Sequence, residues 1–199
     1  MSSHSSAIAA VEPHPVRLVV TDDLRRSRLT VAFRLVLALP NIVFLVLWGI
    51  AAYLAAIANW AATLVRGRSP ERLHRFLASY VRYLTQVSAY LGIVADPFPS
   101  FGGRSPYPVD VEIDPPAEQG RWGVAFRLLL ALPALLILNA LQGVLQIIGV
   151  LGWFYALATG RMHRGLRDVS AYCLRFQAQT SAYVLVLTGR YPSLSGVAA

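Results

Sequence analysis

The chain of 199 residues contains no lysine, so all 18 of its basic side chains are arginine. A single cysteine, Cys173, excludes an internal disulfide, and with no histidine near it in sequence it is expected to be a small packing residue. Also missing are a glycine-rich phosphate loop, HExxH, CxxC, GxSxG and paired carboxylates inside the apolar segments, so no reaction class served by those signatures is indicated. The first fifteen residues lack the apolar stretch of a cleavable signal peptide. Residues 1–13 therefore read as a disordered tail, and membrane insertion falls to an internal segment.

What is present is apolar. Hydrophobic residues make up 56% of the chain against 14% charged, and the mean hydropathy is +0.52, beyond what the core of a soluble domain of this size requires. A membrane protein is expected. The formal charge of +8 comes from arginines that flank apolar segments rather than forming one face interleaved with aromatics, which favours anionic lipid headgroups over nucleic acid as partner. Abundant alanine, with arginine in place of lysine, suggests a GC-rich genome such as an actinobacterial one.

The sequence is also written twice. Residues 31–40, VAFRLVLALP, return at 124–133 as VAFRLLLALP, a displacement of 93 positions. The same ungapped displacement pairs Trp60 with Trp153, Gly67 and Arg68 with Gly160 and Arg161, and the Ser-Ala-Tyr at 88–90 with that at 181–183. About 27 of roughly 90 paired positions are identical, against roughly 8 by chance.

Each repeat opens on an extended element, 14–20 and 107–114, with Val16, Leu18 and Val20 on one face and Val109, Val111 and Ile113 on one face of the other. Each is too short to stand alone. Paired across a pseudo-twofold axis they would form a two-stranded ribbon with Arg17 near Asp110, Glu112 and Asp114. A helix then begins near Arg28 and near Trp122 and runs into Pro40 or Pro133, where a kink or a new start is expected. Residues 41–65 and 134–158 follow without a charge, each long enough to cross a hydrocarbon core of roughly 30 Å. The whole apolar run is longer than one crossing needs, which leaves a kinked span, an interfacial helix followed by a span, or a re-entrant hairpin. The second is favoured, because Arg34 and Arg127 would then snorkel at headgroup level as interface anchors.

Basic turns come next, with Gly67 and Gly160 as helix stops and Ser69 and Pro70 as an N-cap and first helical residue. The second helices, 70–94 and 164–187, are amphipathic, with Arg75, Ser79, Arg82, Gln86 and Tyr90 on one face and Asp168, Tyr172, Arg175, Gln179 and Tyr183 on the matching one. If these helices cross, the repeats are parallel and both basic turns share a side; if they lie in the interface, each repeat crosses once and the repeats are inverted. The positive-inside rule leans toward the parallel case, though Arg25, Arg26 and Arg28 weaken it.

Arg82, Gln86, Arg175 and Gln179, retained in both copies, are the sharpest functional candidates: two guanidinium groups near a symmetry axis can hold an anionic headgroup or line a polar cavity. The plainer reading is a water-facing polar face on a surface helix. Trp60 and Trp153 read as membrane-interface anchors. Asp110, Glu112 and Asp114 read as a solvated strand edge rather than metal ligands, and His74 and His163 as surface residues.

The repeated Pro-Val, Phe-Arg-Leu-x-Leu-Ala-Leu-Pro, Gly-Arg and Arg-x-x-x-Gln-x-Ser-Ala-Tyr, with Asp-Pro-Phe-Pro-Ser-Phe at 96–101, resembles the bacterial membrane family described as domain of unknown function DUF4389. The resemblance covers both halves, though the second copy has Gly189, Arg190 and Tyr191 where the first has Asp96, Pro97 and Phe98. It implies a membrane class and carries no catalytic residue.

These readings predict an all-α integral membrane protein, multi-pass in the plasma membrane, with a tail at 1–13 and tandem repeats at 14–103 and 104–196 forming one pseudo-symmetric unit. A non-enzymatic role without cofactor or metal is expected, as a structural or accessory component of a homo-oligomer or larger membrane complex. The rival is a carrier or binding protein for an anionic lipid or amphiphile on the Arg82, Gln86, Arg175 and Gln179 face.

Overall fold

The computed structural model describes residues 14–21, 23–103 and 106–194; the expected tail at 1–13, Asp22 and the last residues of the second repeat lie outside them. The order of elements is written twice. Strand β1 (Val16–Val20) precedes a short helix α1 (Arg28–Ala32), a long apolar helix α2 (Arg34–Arg66) and an amphipathic helix α3 (Glu71–Leu91). Then follow β2 (Val109–Ile113), α4 (Arg121–Ala125), α5 (Arg127–Thr159) and α6 (Arg164–Val184).

The two strands form the expected ribbon. They pair antiparallel with Leu18 opposite Val111, and these residues are separated by the repeat displacement itself, so a pseudo-twofold axis passes through the centre of the ribbon. The same axis relates contacts throughout the described residues. Arg26 N donates to Gly160 O at 3.0 Å, and its mate Gln119 N donates to Gly67 O at 2.8 Å. Trp60 Nε1 donates to Val124 O at 2.8 Å, and Trp153 Nε1 to Val31 O at 2.9 Å. The short helix of each repeat is thus docked on the far end of the other repeat's long helix. The repeats are interleaved.

Three layers result. Helices α3 and α6 pack on each other in the middle, α2 lies on α3 and α5 on α6, and the ribbon packs on the middle pair. The two faces of α3 are distinct. Trp48 on α2 stacks near Tyr80 and Tyr83, whereas Arg82 Nε reaches Val111 O of the ribbon at 3.3 Å. Successive residues of a helix turn by about 100°, so Tyr80 and Arg82 serve opposite sides. Buried Val16 and Val111 of the ribbon, Leu77 and Val81 of α3, and Ala178 and Ala182 of α6 form the central core.

The break in the long apolar run is not at proline. Pro40 and Pro133 sit inside continuous helices, and the chain instead turns at Phe33 (φ −96°, ψ 8°) and Phe126 (φ −94°, ψ 15°), seven residues earlier. Proline near the start of a helix removes one ladder bond, and the packing of α2 on α3 carries the helix through it. The turn falls at Phe33 because α1 must leave the axis of α2 to reach α5. Gly67 and Gly160 do end the helices, in the left-handed region at φ 74° and 70°, where glycine avoids the Cβ penalty. Pro70 rather than Ser69 is the N-cap of α3, and the Ser69 hydroxyl donates to Asn59 Oδ1 at 2.6 Å.

Candidate functional site

From the Arg and Gln face repeated on the two middle helices, Arg82 and Gln179 support the ribbon. Arg82 Nε lies 2.9 Å from Asp110 Oδ1 as well as donating to Val111 O. Gln179 Nε2 donates to Val16 O at 3.3 Å, and its Oε1 accepts from Ser193 N at 3.0 Å. Gln86 is buried, with neither amide atom paired. The Arg175 guanidinium lies 5.2 Å from the Tyr172 ring centroid. Arg82 and Gln179 therefore act as struts beneath β2 and β1, while Gln86 makes no such contact with the ribbon. The acidic strand face is neutralised from the opposite strand, Arg17 lying 3.4 Å from Glu112 and 3.1 Å from Asp114.

Arg34 and Arg127 depart most from expectation. Each is 2% exposed, so neither snorkels outward as an interface anchor. Arg34 Nη1 donates to Tyr90 O and, at 3.0 Å, to Ala95 O, its Nη2 pairs with Asp96 at 2.9 Å, and the guanidinium lies 4.5 Å from the Tyr90 ring centroid. Arg127 Nη1 donates to Thr188 O at 2.8 Å, Nη2 to Gln119 Oε1, and the group lies 4.3 Å from the Tyr183 centroid. A helix leaves its last carbonyls without intrahelical partners, and Arg34 takes one of them, Tyr90 O at the end of α3, together with Ala95 O in the segment beyond, while Arg127 holds Thr188 O in the matching segment after α6. Just beyond, Ile93 (φ 59°) and Val186 (φ 61°) take left-handed conformations unusual for β-branched residues. That twist turns the Ile93 carbonyl to Arg26 Nε and the Val186 carbonyl to Gln119 Nε2, again a symmetric pair.

Trp60 and Trp153 are half-exposed, each spending its indole N–H on the other repeat, so they act as rivets between repeats. His163 caps α6 by accepting from Gly165 N at 3.2 Å. His74 is buried rather than at the surface, as is His14, and burial pushes both imidazoles below their ordinary pKa.

The largest uncovered feature lies opposite the ribbon. Helices α2 and α5 are each 33 residues and apolar enough to cross a membrane, and they leave bare Leu35, Val46, Ile50, Leu54, Leu136 and Ile147, among others. They run antiparallel: one groove is lined by Arg34 and Leu35 from the start of α2 with Gly149 and Phe154 from the end of α5, and its symmetry mate by Arg127 and Leu128 with Ile57 and Trp60. The grooves measure about 580 and 460 Å³. Only the first carries amides, Gln142 and Gln146, with Gln142 Nε2 donating to Gln177 Oε1 at 2.9 Å and Gln177 Nε2 to Ser88 Oγ at 3.1 Å. Gln142, Gln146, Asn41 and Asn59 each stand in one copy only, so the repeat does not point to them. Their signal was an amide inside an otherwise apolar helix.

A family model matches residues 28–102 and again 121–195. The chain belongs to the family described as domain of unknown function DUF4389. Each DUF4389 copy spans one short helix, one long apolar helix and one amphipathic helix, so the symmetric unit seen here is built from two copies of the domain, while both ribbon strands fall outside the matched segments. No curated protein and no solved structure matches the chain.

Proposed function

We propose that this protein is a non-enzymatic component of a bacterial plasma membrane, actinobacterial by its composition, acting as a structural or accessory part of a homo-oligomer or larger membrane assembly. The observation that carries this reading is the apolar face of α2 and α5. From Leu35 to Val65 along α2, every exposed side chain is apolar or aromatic, a continuous face of the kind that marks a protein or membrane contact. Four of the polar groups are engaged in holding the fold: Arg34 and Arg127 tie the segments that follow α3 and α6, and Arg82 and Gln179 tie strands. An anionic-amphiphile carrier working through Arg82, Gln86, Arg175 and Gln179 is the less supported reading, because two of the four, Arg82 and Gln179, are engaged with the ribbon. The test is fractionation of cells producing the full chain. Retention in the membrane pellet through washes with high salt and alkaline carbonate, with release by detergent, is expected; release by carbonate alone would overturn the membrane reading.

A further inference from the structure

Building on that membrane reading, we infer that α2 and α5 do not cross the bilayer but lie side by side in the plane of one leaflet, docked on anionic lipid, with the ribbon held above it in water. The argument starts from the level at which the ribbon sits. Arg82 in the middle of α3 holds Val111 at the ribbon centre, and Tyr80, also in the middle of α3, lies against Gly49, the middle of α2. The ribbon is therefore level with the midpoints of the long helices.

Stand α2 and α5 along the membrane normal, and five charged side chains fall at the centre of the hydrocarbon. Arg17, Arg82, Asp110, Glu112 and Asp114 are between 38% and 58% exposed, and among the described residues each strand also has an outer edge without a ladder partner. Charged side chains and open sheet edges facing lipid are what a bilayer core excludes. Sliding the molecule along the normal gives no relief. Each long helix extends about 50 Å at 1.5 Å per residue, against roughly 30 Å of hydrocarbon, and raising the ribbon clear would leave half of the bare apolar length of α2 in water.

Laid flat, the layers match the leaflet. A helix about 10–12 Å across fits the roughly 15 Å of hydrocarbon in half a bilayer, which places α3 and α6 at headgroup depth and the ribbon beyond it. The twofold axis then lies along the normal. Exposed Arg28, Arg66, Arg68, Arg121, Arg161 and Arg164 cluster at the ends of the long helices, on the rim where lipid phosphates would meet them. Beside them, exposed Trp122 and Phe126 stack with centroids 6.1 Å apart, aromatic side chains suited to the same depth. The two grooves open into the leaflet, where acyl chains fill them.

The test places single cysteines in the full chain carrying Cys173→Ala: Ser27→Cys just before α1, on the side of the molecule where α2 begins, Arg66→Cys at the last residue of α2, and Glu112→Cys on the ribbon. Labelling of all three by a membrane-impermeant maleimide from the same side, and of none from the other, is expected. Labelling of Ser27→Cys and Arg66→Cys from opposite sides would overturn the in-plane arrangement while leaving the membrane reading intact; release of the protein by carbonate would sink both. Trypsin added to sealed vesicles holding the unmodified chain gives an independent readout. From one side it should cut at both Arg28 and Arg66 and from the other at neither, whereas one cut from each side would overturn the proposal.

Discussion

The Arg34 guanidinium is surrounded by two main-chain carbonyls, a carboxylate and an aromatic face, which offset the cost of burying its charge, although its Nε is left without a partner. Replacing it by methionine keeps most of the volume but leaves Ala95 O and Asp96 Oδ1 without the guanidinium, while Tyr90 O keeps Ile93 N and Asp96 Oδ2 keeps Ser27 N. Removing one partner of a buried pair costs about 3–5 kcal/mol. Asp96 is 25% exposed and recovers some hydration, so the lower end of that range is expected for Arg34→Met. The ribbon pair offers the contrast, since Arg82 and Asp110 are both over a third exposed and surface pairs contribute about 0–1 kcal/mol. Unfolding in mild detergent should show a large loss for Arg34→Met and a small one for Arg82→Ala. Equal losses would mean that Arg82 is the deeper strut. From sequence alone Arg34 and Arg127 read as headgroup anchors, because an arginine at the edge of an apolar run usually is one. Their burial depends on carbonyls of residues 90–95 and 188, more than fifty positions away, which no local pattern encodes.

At the scale of elements, local chemistry was legible where it is local. The ribbon follows from alternation of apolar residues, the helix stops from Gly67 and Gly160, and the amphipathic helices from their periodicity. The break at Phe33 was not, because Pro40 is the stronger local signal and the turn is imposed by where α1 docks. Glycines give a test with opposite signs. Gly67 holds φ 74°, where an alanine Cβ costs roughly 1–2 kcal/mol, so Gly67→Ala should destabilise by that order. Gly143 lies within α5, where an added Cβ meets nothing within 4 Å, so Gly143→Ala should stabilise by about 1 kcal/mol through helix propensity. Thermal unfolding of both variants in the same detergent checks this. A shift of the same sign in both would show that packing, not backbone conformation, decides these positions.

At the scale of the whole molecule, the duplication turns from a record of ancestry into a mechanical requirement. The first repeat alone would keep the α2 and α3 hairpin but lose the strand opposite β1, the Val124 carbonyl that accepts from Trp60, and the Gly160 carbonyl that accepts from Arg26 N. Its core would open, because Val16 and Leu77 share one cluster with Ala178, Ala182 and Leu187 of the second repeat. Residues 14–103 produced alone should therefore not yield a folded monomer. The pseudo-twofold allows one escape, pairing with a second copy of the same half, in which Leu18 of each copy would take the place of Val111. Produced together with 106–194, the half should be recovered as a 1:1 complex. Size-exclusion chromatography with light scattering of the detergent-solubilised halves, corrected for bound detergent, distinguishes these outcomes. A lone 14–103 that runs as a monomer and unfolds in one sharp transition would show that each copy is a domain in its own right and that the interleaved contacts merely join two finished units.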